Sequence, residues 1–515
     1  MHKYQVTIVL VFNLIYINNG ARILAHVPTP SYSHQVVFRP LWRELSLRGH
    51  QVTLLTTDPI NDSTLTNLTE INLNCTYNLM PEFILQLIKT SAILSLKVFT
   101  DNFVSHMDVQ LQHPEVQKLI KEGSFDLVIA EHFTSIPFAF AKIFECPSVA
   151  VTTLPALEWV YEEFGVPTHP ILYPDVLMPF TKTKKLSERI ISVIFYSFAK
   201  LHHRFYNNPQ ENIILRKYFG NDFPTTEELV QNISLLLENT DPVFDKIRPR
   251  VPVAIPVGGI HRVPTKPLPK KLKIILDSAS KGFIYFSLGT NVKSKDLPDS
   301  LRQAILETFT ELPYTVLWKC DLDNFSNKSS NIVIEKWVPQ TDVLKHPNIK
   351  LFITQGGLQS IGEAFIAKVP MIGIPYLGDQ PRNIRKLVEN GFGLSLDYKT
   401  LDKEQFKKAI IEVVTNPKYR DAITRSSNLA EDQPMTSLDR AVWWIEYVIR
   451  HKGAAHLKSP ALDVPWYQYF LLDVIGVLLT AFSLMGFLLL YVVRKFVEMI
   501  KLTVGESKKS KQKNY

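Results

Sequence analysis

The chain has 515 residues, 46% of them hydrophobic and 21% charged, which excludes a single small module and a chain disordered throughout. Cys75, Cys146 and Cys320 allow at most one bridge and form no CxxC pair, so neither a disulfide scaffold nor a structural zinc site is supported. The formal charge of +8 is largely local, because residues 494–515 hold seven Lys or Arg against two Glu; the remainder is close to neutral, and no nucleic-acid partner is expected.

In chain order, residues 6–17 are apolar apart from Thr7 and Asn13, the length of a signal-peptide core and too short to cross a bilayer. Cleavage is expected near Gly20 or Ala21, so residues 1–20 read as a leader. A strand at 22–27, a Pro/Ser turn at 28–33, a helix at 34–48 and a strand at 51–57 make a βαβ opening, which implies a parallel sheet. Further buried strands are predicted at 125–130 and 148–153, followed by amphipathic helical stretches as far as Thr240. Residues 249–270, with Pro249, Pro252, Pro256, Pro264, Pro267 and Pro269, can continue neither helix nor central strand and read as a linker. Beyond them strands at 283–287, 315–318, 332–335, 350–354 and 371–374 alternate with helices at 297–311, 358–367 and 382–389.

The expected fold class is therefore α/β, with two doubly wound Rossmann-like domains, 21–248 and 271–467, facing a cleft. Ligands of such sheets bind beyond the carboxyl ends of the strands. The turn from Pro28 to His34 lacks glycine, and Ser287-Leu288-Gly289-Thr290 is no G-x-G-x-x-G, so a Rossmann dehydrogenase fails at its defining loop.

Residues 474–493 carry no charge, and 20 helical residues cover the roughly 30 Å hydrocarbon core. With the aromatic flank Trp466, Tyr467, Tyr469 and Phe470, residues 470–493 read as one transmembrane helix, and the basic tail 494–515 is placed in the cytoplasm by the positive-inside rule. Six sequons, at Asn61, Asn67, Asn74, Asn232, Asn324 and Asn327, suit a luminal or external body. Lys511 and Lys513, near the end, resemble a dilysine retrieval signal. The expected location is the endoplasmic reticulum membrane, single-pass type I, with the domains luminal.

The most specific stretch is residues 337–380: Trp337-Val338-Pro339-Gln340, then Thr354-Gln355-Gly356-Gly357-Leu358-Gln359-Ser360-Ile361-Gly362-Glu363, then Gly378-Asp379-Gln380. It resembles the signature of the UDP-glycosyltransferases, most like their insect, membrane-anchored branch, and the similarity runs from Ser33-His34-Gln35 to the membrane segment. The resemblance implies the GT-B glycosyltransferase fold, with an acceptor-binding first domain and a UDP-sugar-binding second one. The residue chemistry suits that reading. Trp337 offers a flat face to a uracil ring, and Gln340 has both amide groups for the base edge. Gly356 and Gly357 let the backbone approach a ligand, and the helix that follows turns free N–H groups toward a pyrophosphate. Glu363 can accept ribose hydroxyls, while Asp379 and Gln380 can grip a hexose. The resemblance assigns these roles to the same residues, places Ser287, Gly289 and Thr290 beside the phosphates, and includes Thr354 and Ser360 in the donor signature. Gln355 is a departure, because many relatives have His there.

Sugar transfer to a hydroxyl requires a base, and imidazole suits the task. The resemblance places that base at His34, after the first strand's turn. Its carboxylate partner is expected at Glu131, where the family has Asp, a second departure; Asp126 and His132 rank below it because they alternate to other faces of the strand. No metal and no cofactor are expected, since UDP-sugar is a co-substrate. A single displacement inverts the anomeric centre. Residues 81–100 and 159–203, rich in Phe, Leu, Ile and Tyr, suit a small lipophilic acceptor. The donor sugar is expected to be glucose by family habit, and assembly into a homo-oligomer is left open. The competing reading is a membrane-anchored protein that binds UDP-sugar or a lipophile without turnover.

Overall fold

Short runs of buried apolar and β-branched residues form the strands of the computed structural model, which describes residues 20–245, 247–262, 266–290, 292, 294, 297–321 and 329–512. The leader up to residue 19, Pro264, Asn324, Asn327 and Lys513 lie outside the described residues. Residues up to Lys458 form one compact unit, and Ser459–Tyr515 form a second.

The first sheet has seven strands: β1 (Arg22–His26), β2 (Gln51–Thr56), β3 (Leu68–Asn72), β4 (Leu127–Glu131), β5 (Ser148–Thr152), β6 (Ile233–Glu238) and β7 (Ala254–Pro256). The second has six: β8 (Phe283–Ser287), β9 (Thr315–Lys319), β10 (Ile332–Glu335), β11 (Ile349–Thr354), β12 (Met371–Gly373) and β13 (Gly393–Ser395). The orders are β3-β2-β1-β4-β5-β6-β7 and β10-β9-β8-β11-β12-β13, parallel at every pairing. Parallel sheets are covered on both faces, which explains why β4, β5, β6 and β8 are buried along their whole length. The strand order reverses between β1 and β4 in one sheet and between β8 and β11 in the other, the positions where such folds hold ligands.

Nine helices matter below: α1 (Tyr32–Leu47), α2 (Met80–Lys89), α3 (Ala92–Gln112), α4 (Leu186–His202), α5 (Gln340–Leu344), α6 (Leu358–Ile366), α7 (Gln380–Glu389), α8 (Ser437–His451) and α9 (Leu472–Gln512). The sheets have separate cores. That of the first includes Ile23, Leu24, Val128, Ile129 and Leu236, all at zero exposure. It also takes in Ala441, Val442, Ile445 and Val448 of α8, so the last helix before Lys458 returns to the first sheet and not to the second domain in which sequence order places it.

The Pro-rich stretch 249–270 differs from a plain linker as well. Ala254–Pro256 pairs with Leu236–Glu238 as β7, at the sheet's edge, where a proline's missing N–H breaks no ladder. In the second unit α9 is one continuous helix whose residues Leu472–Val504 are long and apolar enough to span a bilayer. It runs past residue 494 through most of the basic segment expected as a tail.

Candidate active site

The turn after β1 runs through Pro28 and Pro30 to Ser31, where α1 begins, and His34 sits in its first turn. Parallel pairing sets His26 opposite Ala130, so the residue after Ala130 emerges beside the start of α1. That residue is Glu131, fully buried, and its Oε1 lies 2.6 Å from His34 Nδ1. A carboxylate only accepts, so Nδ1 carries the hydrogen and Nε2 is left to take a proton. Thr153, immediately after β5, donates from Oγ1 to Glu131 Oε1 at 2.9 Å and stands 2.9 Å from His34 Nδ1. The neighbours point elsewhere: Asp126 pairs with Arg22 on the surface at 3.1 Å, and His132 faces Glu163 at 3.1 Å. Burial alone would raise the Glu163 carboxyl, but His132 and His203 outweigh it and hold the group down at about 2.

His34 opens onto an apolar cavity of about 180 Å³. Met80, Phe83 and Leu87 of α2, Leu96, Phe99 and Phe103 of α3, and Phe133, Trp159 and Leu177 line it, with Leu377, Gly378 and Asp379 arriving from the second sheet. The lipophilic segments thus divide. Part of 81–100 and 159–203 lines this cavity, whereas Ile190, Ile191, Val193 and Ile194 turn to the outside.

Across the cleft, β8 and β11 pair with Ser287 beside Thr354, which puts the two loops that follow side by side. Gly289, at φ +77°, faces the Gln355 amide so closely that a Cβ on it would stand 2.1 Å from Nε2. Gly356 is at φ +95°, and its N–H is taken by Thr354 Oγ1 at 3.2 Å. Gly357 caps α6, whose first-turn N–H groups face this loop region. Thr290 is exposed at the end of the first loop.

Trp337 is 56% exposed, with Lys319 Nζ 4.7 Å from its ring centroid and Tyr32 of α1 edge-on at 5.2 Å. Lys319 also donates to the Gly289 carbonyl at 3.1 Å, and burial lowers its pKa. Gln340 Nε2 donates to Glu363 Oε2 at 2.8 Å and Ser360 Oγ at 3.0 Å, while Tyr285 donates to Gln340 Oε1 at 3.2 Å. The Gln340 amide thus ties Glu363 and Ser360 of α6 to Tyr285 of β8. Burial raises the Glu363 carboxyl, and the Gln340 bond works against that.

Asp379, at the start of α7, is raised by burial; the Asn383 amide, 2.5 Å away, and the charges of His34 and Lys386 oppose the shift. Gln380 Oε1 accepts the backbone N–H groups of Tyr376 and Leu377 at 2.9 and 3.2 Å, which fixes the loop that presents Asp379 to the cleft. Among the described residues, no three His, Cys, Asp or Glu are arranged to hold a metal.

The sequence reading missed Thr153, Lys319, Gln359 and Asn383. Thr153 follows a strand at its carboxyl end, which was the available signal. Gln359, whose Nε2 donates across the cleft to the Thr153 carbonyl at 3.2 Å, gives none until the two sheets are placed together.

The family described as "UDP-glucoronosyl and UDP-glucosyl transferase" matches residues 23–509. A relative from Dactylopius coccus, "UDP-glucosyltransferase 2", is 35% identical over 96% of this chain and 97% of its own. Human "UDP-glucuronosyltransferase 1A9" is 33% identical over 75% of this chain and 73% of its own. Among solved structures, glycosyltransferase VinC in complex with DTDP superposes with a TM-score of 0.58 at 15% identity, over 84% of this chain and all of that one, which gives the fold as GT-B. Two facing parallel α/β sheets, the donor signature between β10 and α7 and a family match across the whole body lead to one conclusion: the chain belongs to the UDP-glycosyltransferases and is an enzyme that transfers a sugar from a UDP-sugar donor.

Proposed function

We propose that the enzyme moves a hexose, glucose in the first instance, from its UDP-sugar to a hydroxyl of a small lipophilic acceptor with inversion. The observation that carries this reading is the 2.6 Å contact between His34 Nδ1 and Glu131 at the mouth of an apolar cavity that Asp379 also lines. An acceptor lying in the cavity presents its hydroxyl to Nε2. As the oxygen attacks the anomeric carbon, Nε2 takes its proton and Glu131 stabilises the imidazolium that forms. UDP departs toward the loop of Gln355, Gly356 and Gly357, where α6 N–H groups and Lys319 meet developing negative charge. Asp379 and Gln380 hold the hexose, Trp337 stacks the uracil, and Glu363 exchanges its bond with Gln340 for the ribose. Glucose is supported by the name of the Dactylopius relative.

The test is to incubate microsomes holding the full chain with UDP-glucose, UDP-galactose or UDP-glucuronic acid and a panel of phenols and sterols, and to read product and anomeric configuration. A β-glucoside from the α-linked donor is expected. Donor binding with no glycoside across the panel would favour a binding protein, and a glucuronide alone would replace the donor.

The same reading makes this a single-pass type I protein of the endoplasmic reticulum membrane with luminal domains and a conjugating, detoxifying role. Its support is the apolar length of Leu472–Val504, the basic residues at its far end and the exposure of Asn61, Asn67, Asn74 and Asn232. Protease added outside sealed microsomes should remove only the C-terminal tail, and substituting Lys511 and Lys513 by Ser should release the protein from the compartment. Digestion of the body would invert the topology.

A further inference from the structure

Helix α4 is amphipathic in the wrong sense for water. At about 100° per residue, Leu186, Ile190, Val193, Ile194 and Leu201 fall on one side. They are 64, 50, 41, 54 and 56% exposed, while Ser192, Phe195 and Ala199 on the opposite side are buried. Phe205, one turn beyond, is 69% exposed. A surface helix ordinarily turns its polar side outward, and an apolar side of this length, broken only by the exposed Ser197 between Ile194 and Leu201, marks a contact surface.

The charges around it are placed as a border. Lys182, Lys184 and Lys185 precede the first turn, Arg189 and Lys200 flank the apolar side along one edge, and Arg204 follows the end. Lys200 is paired with Glu162 at 2.8 Å and Lys182 with Glu389 at 3.8 Å, which leaves Lys184, Lys185, Arg189 and Arg204 as the border's cations for lipid. The one acid within the helix, Glu188, is turned back to accept the Lys185 backbone N–H at 3.0 Å. An apolar side with a cationic border is the composition of a helix lying in a membrane interface. A bilayer is also within reach of the body, because residues 459–471 alone separate Lys458 from the apolar stretch Leu472–Val504.

We propose that α4 lies in the headgroup layer of the bilayer, its apolar side at the acyl boundary and its Lys/Arg border against anionic lipid. This rests on reading Leu472–Val504 as a membrane anchor, and it is independent of the identity of the sugar. Its consequence concerns the acceptor. Phe195 and Ala199, on the inward side of α4, pack with Leu96, and Leu96 and His202 line the acceptor cavity. Helix α4 thus separates that cavity from the lipid, where a lipophilic acceptor is most concentrated.

The test uses the full chain in phosphatidylcholine/phosphatidylserine nanodiscs, with the exposed Cys75 and the half-buried Cys146 replaced by Ser. An environment-sensitive fluorophore is attached at Ile194→Cys or Leu201→Cys, and at Leu484→Cys in the anchor. Emission is compared with and without a lipid bearing an acyl-chain nitroxide. Quenching of about twofold or more at 194 and 201, together with quenching at 484, is expected. Quenching at 484 alone would overturn the α4 proposal while leaving the anchor standing, and cross-linking of 194 to a second copy in that case would name the true occupant. Quenching at none of the three would overturn anchor and proposal together.

Discussion

Thr153 Oγ1 donates to Glu131 Oε1 at 2.9 Å, on the same carboxylate oxygen that receives His34 Nδ1. Glu131 is one methylene longer than the aspartate expected at this position, and a longer side chain has one more torsion to fix. The threonine fixes it, so Thr153→Val, which keeps the shape and loses the hydroxyl, should lower kcat about tenfold, equivalent to about 1.4 kcal/mol, with the UDP-sugar KM little changed. Thr153→Ser should restore most of the rate. His34→Ala should cost on the order of a thousandfold with UDP affinity intact. Steady-state kinetics with one phenolic acceptor would decide, and a Val variant with wild-type kcat would remove Thr153 from the site.

The donor residues separate by ligand. Trp337→Ala should weaken UDP and UDP-sugar alike by about 1–3 kcal/mol, because both carry the base. Asp379→Ala should raise the UDP-sugar KM and lower kcat while leaving UDP affinity unchanged, since UDP has no hexose to grip. Calorimetric titration of both ligands into each variant measures the split, and an equal loss of UDP affinity in the Asp379 variant would contradict a sugar contact.

Much of this arrangement was legible because buried parallel strands are short apolar runs and ligand residues follow their carboxyl ends. Thus 283–287 and 332–335 match β8 and β10, Gln355 follows β11 directly, Asp379 ends the loop between β12 and α7, and His34 lies in the first turn of the helix that follows β1. What stayed hidden depends on tertiary context. β3 keeps only Ile71 buried, so no apolar run announces it. β7 is masked by Pro256 and by Pro252 just before it, which an edge position tolerates. The pattern of α8 shows an apolar side but not the sheet that receives it. The same holds for α4, whose Ile and Leu read as core or cleft until their exposure is seen. Contacts across the cleft, such as Gln359 to Thr153, have no local signature at all.

Gly289 offers a test of the loop pairing. Its φ of +77° disfavours any side chain, and an added Cβ would stand 2.1 Å from Gln355 Nε2 and 2.9 Å from Cδ. Gly289→Ala should therefore strain the backbone by about 1–2 kcal/mol and push the Gln355 amide out of line, reducing UDP affinity as well as thermal stability. Gln355→Ala in the same background should relieve the clash and recover part of the stability, the backbone strain at φ +77° remaining, without recovering UDP affinity. If Gly289→Ala bound UDP as the parent does, the two loops would not form one phosphate cradle.

Buried histidines make stability depend on pH in a definite direction. Burial lowers His106 and His261 to about 4, and in each both ring nitrogens are buried with no protein partner. The unfolded chain titrates them near 6.5, so between that value and about 4 it binds protons that the folded state refuses. Their contribution is complete above pH 6.5 and lost as the pH falls toward 4, by up to about 3 kcal/mol for each. Denaturation midpoints of the detergent-solubilised full chain should fall steadily from pH 7 to 4.5. His106→Phe or His261→Phe should flatten the slope by about one proton, roughly 1.4 kcal/mol per pH unit, while changing stability little at pH 7.5. An unchanged slope in both variants would mean that these imidazoles reach water and charge in the folded protein.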